Sequence, residues 1–553
     1  MATNYAAFKT GKELLFAGVK PKTAKEKLRL ILTRRIESLR DQHGVSEQLF
    51  SELYPNTVAP MNTAIQYTRA LVAGLDVLVF GPPGSGKTTF VNDTIALFPA
   101  QAYVVDGCEL QCNPFSLFDS EFSSHVKPCP SCKQKHGGTE YLTSGIFNPT
   151  KIKPEDVPVR LTSFRDGFGI SRFRGSPDTF PEDLSGKIDL VQYEKFGDPF
   201  DHRVFRAGKL SHGNNGIVNI NEVGKIPVKA QDALLDALSE SEVKPSGTRE
   251  AVPSSAVVLC DTNTPDLDRI SGPLNDRLMA IFFPYPATVE ANYTILKRNM
   301  YGEKPKTTAP SLDDILTTAA PSLLDIPVSV PLEKAMCSLM IEYRGHTLCA
   351  RFEETGSNRA LLDADKLSRA NAIIYGEKNV SQNDAIEAMT QAILGNIHPR
   401  TTKDYLEHEK SVRDYVSKNL PIKFEEECKA YWCEFAKLND ATTFVQIAKE
   451  TRAIATEVRS LYEENNKKKN DAKTLGNKGD KAGAETLLVE AKEVVQNYWG
   501  LCHAVVDGAK AQKFWEYVKS TTPIMPVSDD NKAALAGNIL RSIQAYINVP
   551  RTA

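Results

Sequence analysis

Residues 77–90, VLVFGPPGSGKTTF, constrain this chain more than any other stretch. Val77–Phe80 is an apolar run of strand length. It feeds Gly81, Pro82, Pro83, Gly84, Ser85, Gly86, Lys87 and Thr88, which satisfy G-x-x-x-x-G-K-[ST] at every fixed position. A phosphate chain needs that spacing. The glycines let backbone N–H groups close around the anion, and the helix predicted from Thr89 to Leu97 points its positive end at it. Lys87 can then reach the β/γ-phosphates and the Thr88 hydroxyl can ligate Mg²⁺, with Thr89 in the same cradle. The expected ligand is ATP with Mg²⁺.

At 553 residues the chain is too long for one core, so two to four domains are expected. A net charge of −2 argues against wholesale nucleic-acid binding, although a local basic pore would be invisible in that sum. No apolar run reaches transmembrane length and the N-terminus lacks the apolar stretch of a signal peptide, so a cytoplasmic location with no membrane partner is expected. In that compartment ten cysteines suggest metal binding or burial rather than disulfides.

Residues 1–55 read as charged helix, a segment that packs on the nucleotide core or, as the less favoured reading, a nucleic-acid-binding arm. Pro60 and Gly74 bracket a helix leading into the loop strand. Ala102–Val105 reads as the next strand, and strand–helix–strand at this spacing predicts a three-layer α/β core with a parallel sheet over 56–290. Residues 106–200 interrupt the pattern as an insertion. Within it Arg165, Arg172 and Arg174 interleave with Phe164, Phe168 and Phe173, which could grip a substrate chain or simply pack on their own domain. Cys108 and Cys112, then Cys129 and Cys132 with His136 close behind, could supply four thiolates to a structural Zn²⁺ in a knuckle-like turn. Unligated reduced thiols and a redox pair are the other readings.

Ile217–Ile220 is an apolar strand ending in Asn221 and Glu222. Glu222 is positioned to activate the attacking water. The residue before such a glutamate is ordinarily an aspartate that holds Mg²⁺ through water. Asn221 can still accept a hydrogen bond but brings no charge, so weaker Mg²⁺ binding and slow turnover are expected. Ala256–Cys260 is another buried strand, and Asn263 beyond it, or Thr262, is the candidate γ-phosphate sensor. Arg277, or Arg269, is the candidate arginine finger acting on a neighbouring subunit.

GPPGSGKT, then Asn219–Glu222, DTNTPD and LNDR follow one another over about 200 residues. This order resembles an AAA+ ATPase of the branch holding MoxR proteins and magnesium chelatase subunits. NEVGKIPVKAQDALLDAL is similar to the MoxR segment around its acidic motif, and VDGCELQCNPFSLF, KPCPSC and GSPDTFPEDLSGKIDL resemble the AAA+ region of the PrkA family. Cys108, Cys129 and Cys132 fall at shared positions; Cys112 does not clearly match. The resemblance implies an AAA+ core carrying a zinc-knuckle-like insertion, a helical lid over 291–400 in which Arg359 contacts the γ-phosphate, and self-association into a ring, a hexamer. It also implies an ATPase that remodels or activates a partner protein. The alternatives are a nucleotide-gated scaffold with little or no hydrolysis and a PrkA-like serine protein kinase, although neither a kinase glycine-rich loop nor an H-R-D segment is present. A nucleic-acid motor is not favoured. Residues 401–553 read as an all-α C-terminal domain containing an antiparallel helical hairpin.

Overall fold

The computed structural model describes residues 5–199, 201, 204–248, 250–300, 311–351, 356–395 and 402–438, with scattered positions between 464 and 490. The helical hairpin expected from 441–508 lies outside the described residues apart from those positions. The chain divides into two units. The first comprises 1–323, 343–377 and 384–414, and the second 324–342, 378–383 and 415–553.

The described strands are β1 Val77–Gly81, β2 Gln101–Val105, β3 Val159–Ser163, β4 Arg165–Asp166, β5 Gly169–Arg174, β6 Gly186–Ile188, β7 Phe205–Ala207, β8 Ile217–Asn221, β9 Glu242–Val243, β10 Val252–Pro253, β11 Val257–Asn263 and β12 Met279–Phe282. Six of them form one sheet in the order β12-β1-β11-β8-β5-β4. β1 runs parallel to both β11 and β12, and β8 runs parallel to β11 and β5. The central strands are apolar runs buried on both faces, as helix-covered parallel strands must be.

β2 departs from the expectation. It is not in the parallel sheet but pairs antiparallel with β3, Gln101 opposite Ser163. The place beside β8 goes to β5, which comes from within the stretch read as an insertion. The physical reason lies in side-chain alternation. Gly169, Ser171 and Phe173 alternate with Ile170, Arg172 and Arg174, a period-two pattern suited to a strand near the sheet edge, where charge can reach water. β6 and β7 close an antiparallel pair around the helix Leu190–Phe196.

Ahead of the sheet, the helix Ala24–His43 starts at a capping box formed by Thr23 and Glu26 and buries Leu28, Ile31, Leu32 and Ile36. It therefore packs on the core. Its Lys27 is buried, donating to the Asn215 carbonyl at 3.2 Å and to Asn215 Oδ1 at 2.6 Å. Burial, with Lys22 adding, holds the Lys27 pKa down to about 7. Between pH 7 and 10 the unfolded chain then binds the extra proton, so stability rises with pH. Relative to Lys27→Met, the native protein should gain about 2 kcal/mol between pH 7 and 9 and nothing further below pH 7. Parallel unfolding curves across pH 6 to 9 would refute this.

Arg69, on the helix Met61–Val72, joins three helices of the first unit. Its Nε donates to Asn371 Oδ1 at 2.8 Å and its guanidinium to Gln391 Oε1 at 3.0 Å. Asn371 in turn donates to Asp384 Oδ1 at 2.5 Å. The helices Asn358–Tyr375 and Gln382–Leu394 are thereby tied to the nucleotide core. Arg69→Met removes that donor from buried acceptors and should cost about 3 kcal/mol, read as a lower thermal midpoint. An unchanged midpoint would show that the network is slack.

In the second unit Leu332, Ala335, Met336 and Leu339 are buried, as are Val416 and Leu420. There Ser338 Oγ donates to Glu427 Oε1 at 3.0 Å, and Lys423 pairs with Glu342 at 3.3 Å.

Candidate functional site

The carboxyl ends of β1, β8 and β11 meet at one edge of the sheet, where ligands bind in open α/β folds. The loop Gly81–Gly86 leaves β1 there and enters the helix Lys87–Leu97. Gly84 (φ +74°) and Gly86 (φ +104°) take left-handed conformations that side chains resist. Gly81 is required for a different reason: a Cβ there would lie 2.2 Å from the Phe283 carbonyl oxygen. Tyr285 braces the loop from outside, its hydroxyl donating to the Pro83 carbonyl at 2.6 Å.

Lys87 Nζ donates to the carbonyls of Gly81 (3.1 Å) and Pro82 (2.7 Å) and to Asn263 Oδ1 (3.2 Å). The register Gly81↔Asn263 sets the loop and the candidate sensor side by side. Burial lowers the Lys87 pKa, opposed by Asp261 and Glu222. Thr88 Oγ1 donates to Asp261 Oδ2 at 2.8 Å, and Asp261 Oδ1 accepts from the Glu222 amide at 2.9 Å. Burial raises the Asp261 pKa against those two hydrogen bonds and Lys87. Sequence reading passed over Asp261. The available signal was a charged residue ending the apolar run Val257–Cys260, beside the loop strand.

Glu222 sits in a left-handed conformation (φ +56°) just past β8. Arg174, the last residue of β5, grips its carboxylate with both ends of the guanidinium, Nε to Oε2 at 2.5 Å and a terminal nitrogen to Oε1 at 2.9 Å. Lys225 Nζ adds a third bond at 3.0 Å. The Arg174 hydrogen bonds, reinforced by Lys225, outweigh partial burial and hold the Glu222 pKa down to about 2. Arg174 was read in sequence only as part of a basic–aromatic loop; the alternation through Gly169–Arg174 was the overlooked sign of a strand.

Two of the expected residues lie in a different group. Arg277 donates to Ser239 Oγ at 2.7 Å and to the Pro273 carbonyl at 2.8 Å. Arg359 faces Asp276 at 3.8 Å, and Asp276 also accepts from Ser357 Oγ at 2.8 Å. Of the alternates, Arg269 pairs with Asp266 at 3.2 Å, and Thr262 Oγ1 is buried without a hydrogen-bond partner among the described residues.

The Mg²⁺ and nucleotide expected of the motif fit the donors present. Mg²⁺ takes oxygen ligands. The Thr88 hydroxyl, the Asp261 carboxylate and a buried, unpartnered Asn221 Oδ1 supply a consistent set.

A second cluster stands apart. Cys108 and Cys112 lie in the turn after β2, which is folded back by Cys108 N–H to the Val105 carbonyl (3.1 Å) and Val105 N–H to the Cys112 carbonyl (2.9 Å). Cys129 precedes the helix Pro130–His136, which contains Cys132. The four buried sulfurs lie within 4.8 Å of one another. Cys108 and Cys129 Sγ are 3.8 Å apart. That exceeds a disulfide length of about 2.05 Å and equals the edge, about 3.8 Å, of a tetrahedron with Zn–S bonds of about 2.3 Å. Backbone N–H groups already point at two sulfurs, Cys129 N to Cys112 Sγ at 3.1 Å and Cys132 N to Cys129 Sγ at 3.4 Å. Hydrogen bonds from Cys112, Cys129 and Cys132 pull the Cys108 thiol well below the usual range. The donor set suits a structural tetrahedral metal, and His136 is not needed to complete it.

Residues 156–320 match the PrkA AAA domain, a span holding β8, Glu222, β11, Asn263 and Arg277. Among curated proteins, the serine/threonine kinase YeaG of Escherichia coli strain K12 is 22% identical over 334 residues, covering 54% of this chain and 50% of that protein. The protein of the same name in strain O157:H7 gives the same values. The chain thus spans about half the length of the curated relatives it matches. A candidate ATPase from Cytophaga hutchinsonii, solved by crystallography, overlays with a TM-score of 0.41 at 16% identity, covering 71% of this chain and 96% of that one, too loosely to bear on function. No helix among the described residues is long and apolar enough to cross a membrane. The chain therefore carries an AAA+ ATPase domain with a PrkA-like region.

Proposed function

We propose that this chain binds Mg–ATP at the loop Gly81–Thr88, hydrolyses it, and uses the cycle, as a MoxR-like ring, to remodel or activate a partner protein. The observation that carries the reading is the convergence of Lys87, Thr88, Asn263 and Asp261 at one sheet edge, with Glu222 linked to them through its own amide. In this reading Lys87 and the loop amides hold the phosphates, Asn263 senses the γ-phosphate, and Glu222 orients water. Arg277 acts on the site of the next subunit and Arg359 reports closure. Ring formation, with a hexamer as the expected size, is supported by an exposed apolar stripe on the helix Val289–Met300, where Val289, Tyr293, Leu296 and Met300 recur at helical spacing. The four cysteines hold a structural Zn²⁺ outside the nucleotide site.

Lys87→Ala should abolish binding of a fluorescent ATP analogue while leaving the fold intact, because among the described residues Lys87 bonds only loop carbonyls and Asn263. Retained binding would refute the site. Light scattering with and without ATP tests the ring, and the absence of any growth in size would overturn it.

A second reading, a nucleotide-gated interaction protein that turns ATP over slowly, is favoured by the grip of Arg174 and Lys225 on Glu222. A phosphate-release assay separates the two. Transfer of labelled γ-phosphate to protein serine in the same assay would instead favour the kinase activity named for the Escherichia coli relatives.

A further inference from the structure

We infer that Asp261, on β11, supplies the carboxylate on the Mg²⁺ side of the nucleotide site that Asn221 cannot. The inference rests on the ATP-binding reading above and names a positioning residue within it.

In loop-type nucleotidases Mg²⁺ is held by the loop serine or threonine together with an aspartate ending a neighbouring strand. The strand that leads to Glu222 ends in an amide here, and an amide carries no charge to set against a dication. The next strand provides one. The register from Val257↔Ile217 to Cys260↔Ile220 brings Asp261 and Asn221 abreast, and residues abreast in a ladder share a face. Asp261 is only 3% exposed, and both of its oxygens are committed. Oδ2 accepts from the Thr88 hydroxyl and Oδ1 from the Glu222 amide. The carboxylate is thus pinned between the hydroxyl expected to touch the metal and the backbone that launches the water-orienting glutamate. Beside it, Asn221 Oδ1 is buried with no hydrogen-bond partner among the described residues. A buried acceptor in that state calls for a donor such as a metal-bound water. The pair would act together, Asp261 supplying charge and Asn221 an extra acceptor.

The test uses the full chain with ADP and Mn²⁺ as a paramagnetic stand-in for Mg²⁺. Asp261→Asn should weaken Mn²⁺ retention, read by electron paramagnetic resonance, by about 10- to 100-fold. Affinity for a fluorescent ADP analogue in EDTA should stay at the wild-type value. Asn221→Asp added to Asp261→Asn keeps the buried charge count unchanged and should restore Mn²⁺ retention, even if the single variant is unstable. The inference is overturned if Asp261→Asn holds Mn²⁺ as tightly as the wild type. It is equally overturned if binding in EDTA falls in step with Mn²⁺ retention, or if the double exchange restores nothing. A wild-type chain that takes up no nucleotide, with or without metal, overturns the ATP reading itself, a distinct signature.

Discussion

Chelating the metal proposed for the four cysteines, or replacing Cys129 and Cys132 together with serine, should unfold residues 106–158 and expose them to protease. The elements there are short: Phe115–Phe118, Ser120–His125, Pro130–His136 and Gly138–Ser144, none longer than seven residues. Helices of that length are not stable alone. They are held by a few buried side chains, Leu110, Phe115, Phe122 and Val126, around the four sulfurs. In isolated zinc-binding peptides the metal contributes about 10–16 kcal/mol to folding. Removing even part of that should free this segment before the parallel sheet, whose central strands are buried on both faces. Protein purified under reducing conditions should contain one zinc per chain by elemental analysis, released when the thiols are modified. The double serine variant should be cut by trypsin at Lys127, Lys133 or Lys135, and the native protein should be cut there more slowly. Metal-free protein with an unchanged cleavage pattern would leave the cysteines as buried thiols.

Legibility in the sequence tracked how local each feature is. The loop Gly81–Thr88 was readable because its geometry depends on glycines and a lysine within eight positions. The cysteine pairs were readable because metal-binding turns impose short spacings. Strand order was not, because β2 and β5 are both acceptable strands and only tertiary pairing decides which one lies against β8. Asp261 escaped for a related reason. Motif reading looks for the metal-side acid immediately before Glu222 on the same strand. Here the carboxylate arrives from the adjacent strand, about 4.8 Å away across the ladder and forty residues on in sequence. Arg174 was hidden because its meaning depends on where β5 pairs. Read as a loop it is one of several arginines, whereas read at the end of β5, opposite Asn221, it sits beside Glu222.

That contact leads to the second large effect. Glu222→Gln should leave ATP binding intact and lower the hydrolysis rate by about 100- to 10,000-fold, the usual contribution of a positioned base. Arg174→Ala should act in the opposite direction. The two guanidinium ends and Lys225 take three of the roughly four acceptor sites of the Glu222 carboxylate, which leaves little room for water, and at a pKa of about 2 it is a poor proton acceptor. Arg174 is largely exposed, so the pair can open at modest cost, and turnover should be limited by how often it does. Without Arg174, Lys225 alone remains on Glu222, and the pKa should climb towards the ordinary value of about 4.3. The pH–rate profile gives the diagnostic. The native protein should show no acid limb from this group above about pH 3, since a carboxylate with so low a pKa stays ionised there. Arg174→Ala should turn over faster at neutral pH and acquire a limb near pH 4, which disappears when Glu222→Gln is added. A slower Arg174→Ala enzyme with an unshifted profile would place that guanidinium on the phosphate side of the reaction and leave Glu222 unrestrained.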